Sequence, residues 1–513
     1  MKNNSLIIVI LIYLMASCSL DYNPVGQYSD VTEGVSDDAT VQQIFRNKAA
    51  VVEYRNYLLL RYREGQEHWY LDMLLLSESH SDNAYAGSPR SETTPFEVNS
   101  IEGSNSNMYR DWQRHLENVG RANTMIVGIE KLEDITFTAT ERKKFTAEAK
   151  ILRAMIYFDM VRIWGNIPLI TTVAGDITAE TIADVYPDYF PSQSDELTVY
   201  KQIEEDLLEG LENAPDNDYN DKTQLSKSVA RALLAKIYAE KPLRDYDKVI
   251  KYADELTSDG FRLIDNFSDL FGVVLRYPSQ PPSQTNPAVD AKARNTRESI
   301  YEAQFFTGSG NWATWMFGRS LNDWNFYFEW LKWITPSRDI TKAYLSEKGD
   351  KRYAESVIFY ECDWNTYYPA KNYAFMYKCR SAYNSIIKMR YADILLLKAE
   401  ALIQKGNFAD AATIINMTRQ RAGLRDLPQS ATASKEAILN AYLKERRLEL
   451  ALEGQRWFDL VRLDKVEEVM NAVFQKDPGR PPQAYLYDQY SYKLPIPQEA
   501  IDQNPNLVQN PGY

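Results

Sequence analysis

Six of the ten tryptophans fall between residues 312 and 364: Trp312, Trp315, Trp324, Trp330, Trp333 and Trp364. An indole is a flat apolar plate with a single N–H donor, a shape that stacks on the C–H faces of sugar rings. Trp312 and Trp315 stand beside Gly308, Gly310 and Asn311, a loop context suited to ligand contact, and Trp324 shares that stretch. Trp330 and Trp333 are three apart beside Leu331 and Ile334, a spacing that suits core packing. A second candidate is SESHSDNAYAG (Ser77–Gly87). There Asp82 and Asn83 could take hydroxyls and Tyr85 offers a ring. The same Asp-Asn pair also suits a plain turn.

Catalytic chemistry finds less support. The three histidines, His68, His80 and His115, lie in no H-E-x-x-H context. No G-x-S-x-G elbow, Walker loop or G-x-G-x-x-G is present, and Gly308-Ser309-Gly310 lacks the flanking pattern. Among 71 acidic residues no carboxylate pair stands out for glycoside hydrolysis. DNDYND (Asp216–Asp221) begins like a calcium loop but lacks the central glycine, and Lys227 stands where the bidentate glutamate belongs. The sequence therefore predicts a binding protein with no catalytic residue, cofactor or metal. The net charge of −13, with no block of Lys and Arg, leaves no electrostatic footprint for nucleic acid.

A different chemistry marks the N-terminus. Leu6–Ala16 is an apolar run of eleven residues, too short to cross a bilayer as a helix and suited to a secretory signal. It ends in Leu14-Met15-Ala16-Ser17-Cys18, the pattern of a bacterial lipobox, in which the cysteine is acylated after cleavage before it. Lipid on Cys18 would anchor the chain without a membrane-spanning helix. Residues 19–38 are polar with Pro and Gly and read as a tether. Cys362 and Cys379 either pair or stay free and buried; spacing does not decide between them.

The elements that must position these residues are mostly helical. Thr138 and Glu141 form a capping-box pattern before a helix that stops at Gly165, with Ile151, Met155, Phe158 and Val161 on one apolar face. Helices are also expected over 196–211, from Ser226, and in DYDKVIKYADEL. AKIYAEKPLRDYDKVIKYADEL and KAEALIQKGNFADAATIINMT share a layout: small residues late in a first helix, a turn, an aromatic (Tyr246, Phe408), then a second helix. That layout is tetratricopeptide-like, which predicts a mainly α, right-handed helical stack. Helical periodicity fades over 266–384, where Ser299–Phe306 alternates as a strand does. The expected organisation is a signal peptide (1–17), a lipidated tether (18–38), and a first helical part (39–265). A loop-rich, partly β insert with the candidate binding face follows (266–384), then a second helical part (385–465) and a wrapping C-terminal segment (466–513). In KERRLELALEGQR, Glu445, Glu449, Glu453 and Arg456 are expected on one helical face as a partly buried ion network, with Arg446 in reach of Glu449.

Several stretches carry a family resemblance. RYADILLLKAEAL (Arg390–Leu402), YLKERRLELALEGQRWFDLVRL (Tyr442–Leu463) and LPIPQEAIDQNPNLVQNPGY (Leu494–Tyr513) resemble signatures of the SusD/RagB family. So do AEAKILRAMIYFDMVRIWGNIPLI, TPSRDITKAYLSEKGDKRY (Thr335–Tyr353) and the lipobox, and together they cover essentially the whole chain. The resemblance implies an outer-membrane lipoprotein of Bacteroidota that faces the cell exterior. It would capture oligosaccharides, or in some members peptides, for a SusC-like TonB-dependent transporter. A surface glycoside hydrolase and a purely structural lid are the readings it competes with.

Overall fold

The structure is a computed structural model, and it describes residues 44–87, 90–175, 178–271, 274–275, 288–289, 294–305, 310–312, 333–362, 364–380 and 385–513. Its first long helices are α1 (Lys48–Glu64), α2 (Ser106–Lys131) and α3 (Ala139–Trp164). The capping box at the start of α3 forms. Thr138 accepts from the Glu141 N–H at 3.3 Å, and the Glu141 carboxylate accepts from the Thr138 N–H at 3.1 Å. The single apolar face expected of α3 is corrected. From Ala147 to Trp164 every residue except Lys150 is buried, because α2 packs on one side of this helix and α4 (Glu196–Asn213) on another. A helix enclosed by neighbours needs no polar face. Gly210 of α4 allows the close approach: a Cβ there would lie 2.6 Å from Ile151 Cγ1.

The stack continues through α5 (Lys227–Ala239) and α6 (Tyr246–Ser258). It resumes with α7 (Tyr391–Gln404), α8 (Phe408–Arg421) and α9 (Lys435–Leu450), then the short α10 (Arg456–Arg462). Although residues 259–390 separate them in sequence, α6 packs directly on α7. The Thr257 and Tyr391 hydroxyls meet at 2.6 Å, and Lys398 and Lys405 reach Asp254 and Asp247 at 2.5 and 2.7 Å. Ala230, Ala232, Ala235, Ala399 and Ala411 are fully buried where the helices meet. Tyr246 and Phe408 each open the second helix of a pair and pack half-buried against the core. This is the tetratricopeptide-like arrangement that the repeated layout predicts.

Strands occur as short two-stranded antiparallel pairs. Three of the pairs are built from β1 (Ala84–Tyr85), which precedes α2, and, between α6 and α7, β2 (Ser299–Ala303), β3 (Thr335–Pro336), β4 (Val357–Tyr360), β5 (Tyr373–Met376) and β6 (Ile386–Arg390). The pairs are β1 with β3, β2 with β6, and β4 with β5. The strand expected over 299–306 forms over Ser299–Ala303, but all five residues are buried, so alternation between core and water is not what forms it. Its Glu302 accepts from the Ser299 hydroxyl at 2.8 Å and the Asn295 N–H at 3.0 Å. The same region holds a helix over Arg338–Leu345, capped by the Ser337 side chain.

The last residues wrap the body. A helix end leaves carbonyls unsatisfied, and the tail supplies their donors. Lys493 Nζ donates to Val161 O at 2.9 Å, the Leu494 N–H to Ile163 O at 2.8 Å, and Asn510 Nδ2 to Trp164 O at 2.8 Å. The C-terminus of α3, the central helix, is thereby capped by a segment more than 300 residues away, as the contact Lys493–Val161 (|i−j| = 332) shows.

Candidate functional site

The site begins where α1 ends. Gln66 follows Gly65 and precedes an unusual run: a π-helical turn (Glu67–Leu71), one α-turn (Asp72–Leu74) and a second π-helical turn (Leu75–Ser79). Such wide turns recur at functional sites. The Gln66 side chain is only 3% exposed, and its amide grips the segment above it. Its Oε1 accepts from the Trp312 N–H at 2.8 Å, and its Nε2 donates to Gly310 O at 3.2 Å. Asn311 between them is buried, whereas Trp312 is 43% exposed. A buried amide thus holds the backbone beneath an indole that faces solvent. Nearby, Trp333 Nε1 donates to Asp72 Oδ1 at 2.5 Å, and the Tyr70 hydroxyl meets Cys379 Sγ at 2.9 Å. Both remaining cysteines are free and buried. Burial raises the Cys379 thiol to about 11, so it stays protonated.

Of the residues that sequence reasoning assigns to ligand contact, Trp312 is the one placed at a surface. Cys18, Trp315 and Trp324 lie outside the described residues. Asp82, Asn83 and Tyr85 require correction, because each is at most 2% exposed and has its polar atoms engaged inside the protein. Asp82 takes a two-pronged bond from Arg456 at 2.8 and 2.9 Å and lies 3.2 Å from Arg447. Asn83 donates to Glu78 and accepts from Arg447 Nε, both at 2.7 Å. The Tyr85 hydroxyl donates to Asp477 at 2.7 Å while its ring stacks on Tyr367 at 4.5 Å. These side chains bind the loop to α9, to α10 and to Asp477 beyond them, and offer nothing to a ligand. Gln66 went unpredicted. A glutamine after a helix-ending glycine carries no signal of a partner 246 positions away.

The charged ladder is more deeply buried than expected and is not one helical face. α9 ends at Leu450, and Leu452 (φ 62°) and Gly454 (φ 77°) turn the chain before Arg456. Arg446 turns away from Glu449 to Asp393 and Asp459, each at 2.8 Å. Glu449 is shared by Arg352 at 3.2 Å, Arg390 at 2.6 Å and Arg421. Glu298, just before β2, accepts from Arg390 at 2.8 Å and Arg421 at 2.6 Å. The lattice therefore ties the segment between α6 and α7 to two helices of the stack, α8 and α9. Burial alone would raise the Glu449 carboxyl, but the three guanidiniums outweigh it and hold it well below the usual range.

An internal cleft lies behind Trp69, Tyr70 and Lys388, with about 50 Å³ of open space. That admits a few waters and no sugar ring. At Asp216–Asp221 the carboxylates serve local turns: Asp216 pairs with Lys227 at 2.9 Å, and Asp221 accepts from Thr223 and Gln224. Among the described residues no group of three or more His, Cys, Asp or Glu could hold a metal ion.

The histidines are structural and set a pH dependence. His80 and His115 are 1% exposed, and burial lowers both to about 4. The unfolded chain, with an imidazole near 6.5, therefore binds more protons between pH 4 and 6.5. Stability should rise with pH across that window, by on the order of 3 kcal/mol for each ring. Urea unfolding at pH 4.5 and pH 7 checks this. His115→Phe should flatten the slope, and an equal slope in that variant contradicts the assignment.

The model of the SusD family matches residues 376–513, and the model described as "Starch-binding associating with outer membrane" matches residues 28–239. The chain belongs to the SusD/RagB family. A SusD-like protein, P38, of Formosa agariphila is 28% identical over 92% of this chain and 93% of its own length. A SusD homologue from Bacteroides thetaiotaomicron shares the fold at TM-score 0.73 and 23% identity, covering 93% of this SusD-family chain and 99% of the homologue. Surface glycan-binding protein A from Bacteroides thetaiotaomicron, solved in complex with laminarihexaose, superposes at TM-score 0.67 and 18% identity, covering 93% of this chain and 100% of its own.

Proposed function

We propose that this SusD-family protein binds an oligosaccharide at the Trp312 platform, leaves it uncut, and passes it to a SusC-like TonB-dependent transporter. The observation that carries the reading is a half-exposed indole whose backbone is gripped from below by the buried Gln66 amide. A ring carried on a held backbone loses less freedom on binding, so more of the stacking appears as affinity. The laminarihexaose complex of a structural neighbour supports a sugar as the ligand class. Binding of this kind needs no general acid, and Trp312 brings none. Single-ring stacking with a few hydroxyl bonds corresponds to a Kd of about 1 μM to 1 mM.

Localisation follows the same reading. Acylated Cys18 anchors the chain at the outer membrane. Among the described residues no helix is long and apolar enough to cross a bilayer. Cys18→Ser is expected to move the protein from the membrane fraction to the soluble fraction. If wild type carries no acyl chain by mass spectrometry, and the variant still pellets after a salt wash, the anchor is wrong. A lipid-tethered binder has no pore of its own, and a short tether raises the local concentration of its partner. Pull-down from mildly solubilised outer membrane should recover a large β-barrel at near-equal stoichiometry. Recovery of this protein alone contradicts delivery.

A further inference from the structure

A second surface, built from other segments, also gathers rings. Tyr485, Leu486, Tyr490 and Tyr513 are 68%, 73%, 48% and 43% exposed. They rim one open hollow together with Ser100, Glu102 and Asp488. Single exposed apolar residues are ordinary, but three tyrosines and a leucine around one concavity are not. The hollow has about 420 Å³ of open space, within the size range of small-ligand sites.

The rings are held. The Ala484 N–H donates to Val98 O at 2.9 Å, and Asn99 Nδ2 donates to the carbonyls of Tyr485 and Leu486 at 3.2 and 3.3 Å. Asn471 clamps the next residue by exchanging bonds with Tyr487 N and O at 2.9 and 3.0 Å. Tyr490 sits in a short 3₁₀ turn (Gln489–Tyr492) closed by a reciprocal cap between Asp488 and Ser491. The Tyr513 hydroxyl donates to Lys493 O at 3.1 Å. Gly512, at φ +99°, passes so close that a Cβ would lie 2.7 Å from Tyr490 Cβ. None of these bonds uses the exposed ring faces, and rings carried on a fixed backbone, with only two side-chain torsions each, bind at low entropic cost.

We infer that this hollow is a second carbohydrate-binding site, which takes a neutral oligosaccharide by stacking on Tyr485 and Tyr490. The carboxylates decide the class. Asp and Glu are depleted at the centre of protein interfaces, yet they suit a ligand edged with hydroxyl donors. They also repel an acidic sugar. The inference extends the carbohydrate reading to a surface that shares no residue with the Trp312 platform.

The test titrates four full-length proteins in detergent with laminarihexaose, maltohexaose, cellohexaose and mannohexaose: wild type, Trp312→Ala, Tyr485→Ala/Tyr490→Ala, and the triple variant. Crystals of the Trp312→Ala protein are soaked with the same sugars. Trp312→Ala should keep one site for at least one of them, with sugar density over Tyr485. Adding the tyrosine changes should weaken that site about tenfold or more. The tyrosine pair alone should leave the melting temperature and the Trp312-dependent site unchanged. Complete loss of binding in Trp312→Ala overturns the second site and leaves the first standing. Residual binding equal in the triple variant overturns it as well, and so does a wild type that binds none of the four sugars. Loss of the co-purifying barrel in the tyrosine variant, with sugar binding intact, assigns the surface to a protein contact and overturns it. Binding lost in the tyrosine variant but kept in Trp312→Ala supports this site and refutes the Trp312 platform.

Discussion

Trp312→Ala is expected to weaken oligosaccharide binding about 10- to 100-fold while leaving the fold unchanged. The indole is 43% exposed, so its removal opens no large cavity. The bond from the backbone at residue 312 to Gln66 survives the change, since it uses the N–H. What disappears is the stacking plate, worth about 1.5–3 kcal/mol with the apolar area it covers. Calorimetric titration measures the affinity, and thermal unfolding provides the control. Gln66→Ala should reduce affinity as well, though the buried amide cannot touch the sugar, because it positions the indole. A melting temperature that falls in Trp312→Ala while affinity holds assigns the ring to the core and removes the site.

Arg390→Ala should be the most destabilising single change outside the apolar core, at about 3–5 kcal/mol. Arg390 is 2% exposed and bonds Glu298, Glu449 and Glu453 between 2.6 and 2.9 Å. Its removal leaves those carboxylates buried with too few donors. An exposed pair gives the contrast. Lys398→Ala breaks a 2.5 Å contact to the half-exposed Asp254 and should cost about 1 kcal/mol or less. Urea unfolding of both variants decides the matter, and equal small losses would show that the lattice is not what joins the segment between α6 and α7 to the stack. Acid acts on this lattice and on the other buried ion pairs. The Glu449, Asp82 and Asp393 carboxyls are all held below their unfolded values by neighbouring cations, against the effect of burial. Their contribution is therefore full above the ordinary carboxylate range, near pH 4, and is lost as the pH falls further.

The helical scaffold was legible because its signals are local. The Thr138–Glu141 box, the alanines of α5 and α7, and the aromatics Tyr246 and Phe408 each act within one or two turns. The enclosure of α3 was not legible, since burial on all sides depends on α2 and α4, and the residues of α3 include buried Arg153, Asp159 and Arg162 that read as polar. Asp82, Asn83 and Tyr85 have the composition of a binding loop. Their partners Arg456, Arg447 and Asp477 lie more than 360 positions away, so nothing near them in sequence announces their burial. The exposure of Trp312 was legible from the glycines and asparagine beside it; the bond from Gln66 to its backbone was not. Arg446 shows the limit of spacing rules: it can reach Glu449 one turn on, but two aspartates on other helices pair with it.

The most direct test of glycan capture is a titration of the wild-type protein with neutral oligosaccharides, laminarihexaose among them, followed by tryptophan fluorescence and by chromatography of the recovered sugar. The account predicts a saturable change for at least one sugar, with a Kd of about 1 μM to 1 mM, and sugar recovered at its original length. Shortened products, or no saturable change with any sugar, would contradict it.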